Sequence, residues 1–284
     1  MTIVTQTVHS AESVLRRPGQ LASLMVRDLW SARELGWRLF LRDFNAQYRQ
    51  TLLGFVWAFL PPLMTTGMFL FLNRANVLKS DTLPVSMPLY IFVGMLYWQL
   101  FLDCLQNPLK VVESARNLIT KVDFPRESLV IAALGQSLVT FAVRLLLLIV
   151  FCAFGHFIPP IWAIPLAIAA AVPAMLFGLC LGLLAVPPGL LFKDLGQAMT
   201  LGTMFLLVVT PVGYFVNAAS PGHWYYRLNP LLYLINLPRD LFFGITTPYA
   251  PLVGFLFLGS LALLITGWVI FRISVPIIFE RLGA

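Results

Sequence analysis

Hydrophobic residues along this chain are gathered into six long runs, which short polar segments separate. The runs lie near residues 52–73, 88–105, 129–154, 161–186, 198–216 and 250–273. Several of them hold about 18 or more residues without charge, which is enough for a helix to cross about 30 Å of hydrocarbon. The pattern therefore predicts an all-α integral membrane protein whose six transmembrane helices form one domain, residues 51–273.

The segment between the fifth and sixth runs, residues 217–249, is apolar enough in places to suggest a seventh span. Its two apolar stretches are LLYLINL and LFFGI, but four prolines interrupt the segment. Arg227, Arg239 and Asp240 would also be costly in lipid. We therefore predict short re-entrant or surface helices here, with a backbone covered by protein or by a water-filled cavity.

Residues 31–50, just before the first run, predict an amphipathic helix in the membrane interface, preceded by a tail of residues 1–30. On a helical wheel Arg38, Arg42 and Arg49 fall within about 40° of one another. A mostly aromatic group gathers on the opposite side: Trp37, Phe40, Leu41, Phe44 and Tyr48. The basic stripe either anchors the helix on anionic lipid headgroups or also meets an anionic substrate, because guanidinium groups pair well with diphosphates.

A second amphipathic stretch, residues 107–122, lies between the second and third runs. Its apolar residues share one face of a helix: Val111, Val112, Ala115, Leu118 and Ile119. Phe124-Pro125 then ends the helix before the third run. Such a helix lies on the membrane, docks with a cytoplasmic partner or is a solvated connector, and the pattern alone leaves these alternatives open.

Composition supports a membrane protein and indicates its orientation. Of the 284 residues, 59% are hydrophobic and only 11% are charged, whereas about 25% of residues in soluble domains are charged. Of the 19 lysine and arginine residues, 14 lie before the first run, between the second and third runs, between the fourth and fifth runs, or near the C-terminus. By the positive-inside rule these segments face the cytoplasm, as do both termini and a tail of residues 274–284. The first 30 residues hold no compact apolar run, which argues against a cleaved signal peptide.

The sequence lacks the motifs of several common enzyme classes. It contains no GxxxxGK[ST] loop for ATP, no HExxH or acidic metal cluster and no GxSxG motif. We therefore assign no catalytic residue and no metal site, and expect the energy for any transport to come from another chain. Arg144 lies deep within the third predicted span, so it is either a functional residue or a side chain that snorkels toward the outer interface.

Four motifs, taken in order, resemble the type-2 ABC exporter permeases for polysaccharides, whose close relatives export O-antigen, capsule and teichoic acid chains. The first motif comprises Arg42-Asp43, Tyr48-Arg49, Thr51, Leu53-Gly54 and Trp57, followed by proline. The others are NLITKVDFPR at 117–126, FKDLGQ at 192–197 and NPLLYLINLPRDLFFG at 229–244. Together they span most of residues 38–273, although Pro61-Pro62 differs from the usual single proline of the family.

The resemblance implies a homodimer of permeases in the bacterial inner membrane, surrounded by lipids, with two separate ATPase subunits. ATP and Mg²⁺ then bind to the ATPase, and this chain binds neither a cofactor nor nucleic acid. Residues 107–122 become a cytoplasmic coupling helix, and residues 217–249 an outer gate. The residues implied in ATPase coupling are Asn117, Lys121, Phe124 and Arg126.

The same resemblance assigns two groups of residues to the cargo. Arg38, Arg42 and Arg49 would guide the diphosphate head of a lipid-linked polysaccharide. Aromatic rings suit the apolar faces of sugars, and five of them are expected to line the glycan path: Trp57, Tyr97, Trp98, Phe101 and Tyr214. Their alternative role is in the interface belts or the core of a membrane protein.

The leading prediction is thus the membrane subunit of an ATP-driven exporter of lipid-linked polysaccharide, with O-antigen foremost. Two other hypotheses stay open on the sequence. The same architecture could export a drug, a peptide or a simple lipid. The chain could instead be an intramembrane enzyme that transfers or cleaves lipid-linked sugars, although a converging acid, base or metal set is missing from the sequence.

Overall fold

A computed structural model describes residues 18–49, 56–75, 86–119, 121–122, 124–214, 228–245 and 250–283. Within these ranges the regular secondary structure is helical, without strands, which confirms the predicted all-α class for the described residues. The helices are α1 Pro18–Arg49, α2 Val56–Arg74, α3 Met87–Ser114, α4 Arg116–Ile119, α5 Glu127–Phe154, α6 Ala163–Leu191, α7 Leu195–Val209, α8 Pro230–Phe242 and α9 Ala250–Gly283.

Helix α3 forms the centre of the bundle, and every residue from Leu89 to Trp98 is buried. Helix α5 runs antiparallel to α3, since Phe92 stacks on Phe151 near one end and Asn107 donates to Ser137 near the other. Helix α6 also packs along α3, and α9 packs along α6. We name the two ends of the bundle the Glu127 end, where α5 begins, and the α8 end.

Glycines on α6 let this helix approach the backbone of α3 closely. A Cβ added to Gly178 would lie 2.6 Å from the carbonyl oxygen of Phe101, and one added to Gly182 would lie 2.6 Å from that of Leu105. Because these contacts advance together along both chains, α3 and α6 run parallel. No side chain fits at such separations, so the absent Cβ atoms set the distance between the two helices.

The variant Gly182→Val is expected to destabilise the chain by about 1–3 kcal/mol, because the larger side chain forces α3 and α6 apart. Gly259→Val on α9 is the matched control, since a Cβ there meets nothing within 4 Å in the described part of the chain. Unfolding by SDS in mixed micelles, followed by circular dichroism, measures both variants. Equal stability of the two would contradict the close contact between α3 and α6.

Four of the six predicted spans are long and apolar enough to cross a membrane, namely those at α3, α5, α6 and α9. The remaining two correspond to α2 and α7, whose described apolar parts, Phe59–Leu72 and Leu195–Val209, are shorter. A helical membrane protein with several spanning-length helices is therefore confirmed. The count of six spans stays a prediction.

Three helices extend beyond their predicted limits. Helix α1 begins at Pro18 rather than near residue 31, and α9 continues to Gly283, so residues 274–283 of the predicted C-terminal tail are helical. Helix α3 passes through Pro108 and ends at Ser114. Pro108 removes one helical hydrogen bond, but the packing of α3 against α6 on both sides of this position maintains the helix.

The predicted coupling helix of residues 107–122 is wrong as a separate element. Residues 107–114 are the last turns of α3, and α4 is a single turn that follows Ala115. The predicted amphipathic face is confirmed, because Val111, Val112, Ala115 and Ile119 are buried. The polar side chains of Lys110, Glu113 and Asn117 are exposed.

The predicted outer segment contains one described helix, α8, at the end of the bundle where α3 begins. With 13 residues it is about 20 Å long, which is too short to cross the hydrocarbon core. Asn229 caps it by accepting a hydrogen bond from the Leu231 backbone N–H. The helix packs against α6 and α3, with Leu231–Ile235 buried. Residues 217–227 and 246–249 lie outside the described residues.

Candidate functional site

The two described arginines of the basic stripe, Arg38 and Arg42, lie on the surface at the Glu127 end. Arg38 donates to Glu34 at 2.6 Å, and both side chains are exposed. Exposed pairs of this kind contribute only about 0–1 kcal/mol, so Glu34 holds the Arg38 guanidinium only weakly. The side chain of Arg49 lies outside the described part of the chain.

The packed face of α1 differs from the aromatic face that the helical wheel predicts. Three of its buried residues are Ala32, Leu39 and Phe40. Two residues of the predicted apolar face, Trp37 and Leu41, are exposed. The packed face rests on α5, where a Cβ on Gly36 would lie 2.7 Å from the Ile131 side chain. Contact with α5 therefore determines this face, while Trp37 remains at the surface.

Arg42 is joined through a carboxylate to the end of α3. Its Nε lies 2.8 Å from Oδ1 of Asp43, and its Nη2 lies 2.7 Å from the same oxygen. The other oxygen, Oδ2, accepts a 3.1 Å hydrogen bond from the Ser114 hydroxyl. Since Ser114 is the last residue of α3, Asp43 connects the basic stripe to the stretch that leads into α4.

Arg272 on α9 pairs with carboxylates from two other helices. Its Nη1 lies 2.6 Å from Oε1 of Glu127, which is buried at the start of α5. Its Nη2 contacts Oδ2 of Asp28 on α1. This arginine therefore holds α1, α5 and α9 together at the Glu127 end, with charge-assisted hydrogen bonds on two of its nitrogens.

The residues assigned to ATPase coupling lie together between α3 and α5. Asn117 and Lys121 are exposed in this stretch. Arg126 stacks 5.2 Å above the Phe124 ring and donates to the Phe124 carbonyl at 3.1 Å. The structure thus places them at the same end as the basic stripe, and their contact with an ATPase stays a prediction.

Arg144 is buried between α5 and α3, with only 4% of the residue exposed. Its Nη1 donates to Oδ2 of Asp103 at 2.5 Å. One turn toward the Glu127 end, Asn107 donates to Ser137, so polar contacts continue along the same interface. Because Arg144 turns into the bundle to meet a carboxylate, the alternative of snorkelling toward the outer interface is wrong.

The aromatic residues assigned to the glycan path lie mostly inside the chain. Tyr97, Trp98 and Phe101 are buried, and they pack against Phe141 and Phe177 as well as each other. In this conformation the side chains of one chain enclose them, which corresponds to their alternative role in the core. For these rings to line a glycan path, α3 would have to separate from α5 and α6.

The last two members of that group give no direct support for a path either. Tyr214 is half-buried, and its hydroxyl donates to the Val208 carbonyl at 2.9 Å. The side chain of Trp57 lies outside the described residues. A glycan path along these aromatic residues therefore stays a prediction.

Arg239 is the most deeply buried charged residue in the part of the chain that the structure describes, with 1% exposed. It stacks 3.9 Å above the Tyr90 ring and donates to the Val212 carbonyl at 3.0 Å. It also contacts the Asn236 side chain. A Cβ on Gly94 would lie 3.0 Å from its Nη1, so a glycine on α3 makes the room for the guanidinium. Arg239 thereby joins α8, α3 and the turn after α7.

Burial also changes the pKa of the neighbouring carboxyl group, that of Asp240. Desolvation raises its pKa to about 6, although the positive charge of Arg239 acts in the opposite direction. Asn229, at the start of α8, donates to the Thr210 hydroxyl at 2.8 Å. Both ends of α8 are therefore hydrogen-bonded to residues 210–212.

Sequence reasoning missed the partners of these charges. The pairs that Arg272 forms join residues 244 and 145 positions apart, a separation that helical periodicity cannot detect. The adjacent Arg42-Asp43 pair was the only visible signal for the link to α3. Among the described residues, no group of three His, Cys, Asp or Glu side chains could hold a metal ion.

The described residues define a multi-span membrane protein with a polar surface at the Glu127 end. It has several spanning-length helices, a charged pair buried between two of them and an exposed basic helix at one end. The family model described as ABC-2 type transporter matches residues 34–243, from the basic stripe to the end of α8. The chain belongs to this family. Its members are membrane subunits of transporters, and the ATPase is a separate subunit.

Individual relatives cover most of the chain. The O-antigen export system permease protein RfbA of Myxococcus xanthus is 28% identical over 230 residues, 80% of this chain and 86% of the relative. A protein of the same name from Klebsiella pneumoniae is 24% identical over 81% of this chain and 88% of the relative. The polysialic acid transport protein KpsM of Escherichia coli is 20% identical over 71% of this chain and 78% of the relative.

Proposed function

We propose that this chain is the membrane permease of an ABC exporter that moves lipid-diphosphate-linked polysaccharide, with O-antigen foremost, across the bacterial inner membrane. The observation that carries the proposal is its similarity over 80% of its length to an O-antigen export permease. The KpsM relative, named for polysialic acid transport, supports a polysaccharide cargo rather than a drug or a peptide.

The assembly that we propose contains two copies of this chain and two ATPase subunits, which bind ATP and Mg²⁺. The Glu127 end faces the cytoplasm, as do both termini. This orientation puts the arginines of α1 and the stretch 117–126 on the side where the cargo is made and the ATPase hydrolyses ATP. Charge supports it, since most lysine and arginine residues fall in segments at this end.

The arginines of α1 bind the diphosphate of the cargo in this proposal. Arg38 and Arg42 are exposed, and each already pairs with a carboxylate of the same helix, at 2.6 and 2.7 Å. Diphosphate oxygens offer the same paired acceptors with more negative charge. Because Arg38 and Arg42 are one turn apart on α1, one headgroup can contact both.

The variant Arg38→Ala/Arg42→Ala is expected to lower polysaccharide export by about tenfold or more, since charged hydrogen bonds contribute about 1.5–3 kcal/mol each. The test uses cells whose own copy of the gene is removed and replaced by the variant. Surface glycan and lipid-linked glycan retained at the cytoplasmic face are both measured. Arg33→Ala is the matched control, because Arg33 stacks on Trp30 at 4.5 Å and lies outside the stripe.

Loss of surface glycan with retained lipid-linked glycan, upon removal of the wild-type chain, is the result that the proposed function requires. Normal surface glycan in cells without the chain would contradict the polysaccharide cargo and favour a drug, a peptide or a simple lipid. Normal export by the double variant, with export dependent on the chain, would contradict only the role of the stripe.

A further inference from the structure

One carboxylate at the Glu127 end faces two helices at once. Asp43 lies on the packed side of α1, since at about 100° per residue it shares a face with Ala32 and Gly36. One oxygen pairs with Arg42 on α1, and the other accepts from Ser114 on α3. Arg42 itself is exposed, whereas only 13% of the Asp43 side chain is accessible. An anion can therefore reach Arg42 directly, while Asp43 lies behind it.

The Ser114 hydroxyl has one proton and two acceptors within reach. It lies 3.1 Å from Oδ2 of Asp43 and 2.9 Å from the Val111 carbonyl of its own helix. A hydroxyl donates one hydrogen bond, so these two acceptors compete for it. Ser114 can thus bind across to α1 or back along α3, and the position of Asp43 decides between them.

A diphosphate bound at Arg42 would alter this competition. It would take guanidinium donors that now face Oδ1 of Asp43, and its negative charge would repel the carboxylate at close range. Asp43 would then lose its cation and turn away from the phosphate. Because α3 ends at Ser114 and α4 begins two residues later, this change occurs next to the stretch 117–126.

From this geometry we propose that Asp43 is a positioning residue, which transmits diphosphate binding at Arg42 to the Ser114 end of α3 and thereby to the stretch that meets the ATPase. The proposal rests on the proposed function. It assigns to Asp43 a regulatory role in which an occupied headgroup site stimulates ATP hydrolysis.

Glu34 provides a matched comparison within the same helix. It too is a carboxylate paired with an arginine of the stripe, at 2.6 Å from Arg38. Glu34 is exposed, and no contact with α3 is found for it among the described residues. Removal of its charge therefore changes the basic stripe but leaves the hydrogen bond between Asp43 and Ser114 in place.

The test measures ATP hydrolysis by the permease purified with its ATPase subunits in lipid nanodiscs. The probe is a polyprenyl diphosphate bearing one N-acetylhexosamine, and extra phosphatidylglycerol in a parallel sample serves as a plain anionic lipid. The quantity compared is the ratio of the stimulated to the unstimulated rate, so that differences in assembly or in the unstimulated rate cancel. The variants are Asp43→Asn, Ser114→Ala and Glu34→Gln.

We expect the diphosphate to stimulate the wild type and Glu34→Gln to a similar degree, and phosphatidylglycerol to stimulate neither. Asp43→Asn should still bind the diphosphate probe but should no longer be stimulated by it. Ser114→Ala is the smaller change and should lose most of the stimulation. Wild-type stimulation in both Asp43→Asn and Ser114→Ala would overturn the inference and leave the proposed function intact. A wild-type complex that the diphosphate does not stimulate, and that exports no polysaccharide, would overturn both.

Discussion

Replacing Arg144 by methionine is expected to destabilise the chain by about 3–5 kcal/mol. The change leaves the Asp103 carboxylate without its cation between two packed helices, and an unpaired buried charge costs that much. Asp103→Leu should destabilise the chain for the same reason, because it strands the guanidinium of Arg144. SDS-induced unfolding and the amount of folded protein in membranes measure both effects.

The double variant Arg144→Met/Asp103→Leu separates a structural role from a role in transport. Apolar residues of similar volume often replace a buried ion pair without loss of stability, so the double variant should recover most of what each single variant loses. We also expect it to export polysaccharide, since the pair holds α3 and α5 together. A double variant as unstable as the two single losses combined would contradict this account. A stable double variant without export would assign the pair to transport.

Replacing Arg239 by methionine is expected to cost at least about 2 kcal/mol, because it removes a desolvated cation–π contact with Tyr90 and strands the buried Val212 carbonyl. Arg239→Lys should lose nearly as much stability. A lysine ammonium group is not planar, so it cannot stack on the Tyr90 ring and at the same time donate hydrogen bonds to two acceptors as the guanidinium does. Arg281→Met, on an exposed arginine near the end of α9, is the control.

Arg239→Met should also increase local opening at the α8 end of the bundle. A cysteine placed at Leu228, which is exposed just before α8, serves as a reference for labelling. A second cysteine placed at Leu234, which is buried in α8, should react with a water-soluble maleimide much faster once Arg239 is replaced. If the cysteine at position 234 stays protected from maleimide and the stability to unfolding is unchanged, Arg239 does not hold α8 against the bundle.

The sequence was sufficient for features that repeat along one helix. Apolar runs located the long helices, and the 3.6-residue period correctly grouped Val111, Val112, Ala115 and Ile119 on a buried face. Helix limits were less predictable, because α3 continues through Pro108 by packing against α6 rather than through local preference. Position along the chain alone does not reveal such contacts.

Partner choice was the part that the sequence could not predict. Arg144 could be recognised as costly in lipid, but its pairing with Asp103 depends on the register between α3 and α5. Leu39 is not part of the apolar face that the helical wheel predicts, yet it is buried, while Trp37 of that face is exposed. A wheel separates apolar from polar positions and cannot tell a face that meets protein from one that meets lipid.

We expect this chain to move polysaccharide only when a separate ATPase drives it. Inverted inner-membrane vesicles that contain both subunits and labelled lipid-linked glycan test it, since exported glycan becomes protected from glycosidase added outside. We predict protection that requires ATP, this chain and a hydrolysis-competent ATPase together. Protection with this chain alone, or without ATP hydrolysis, would contradict the account.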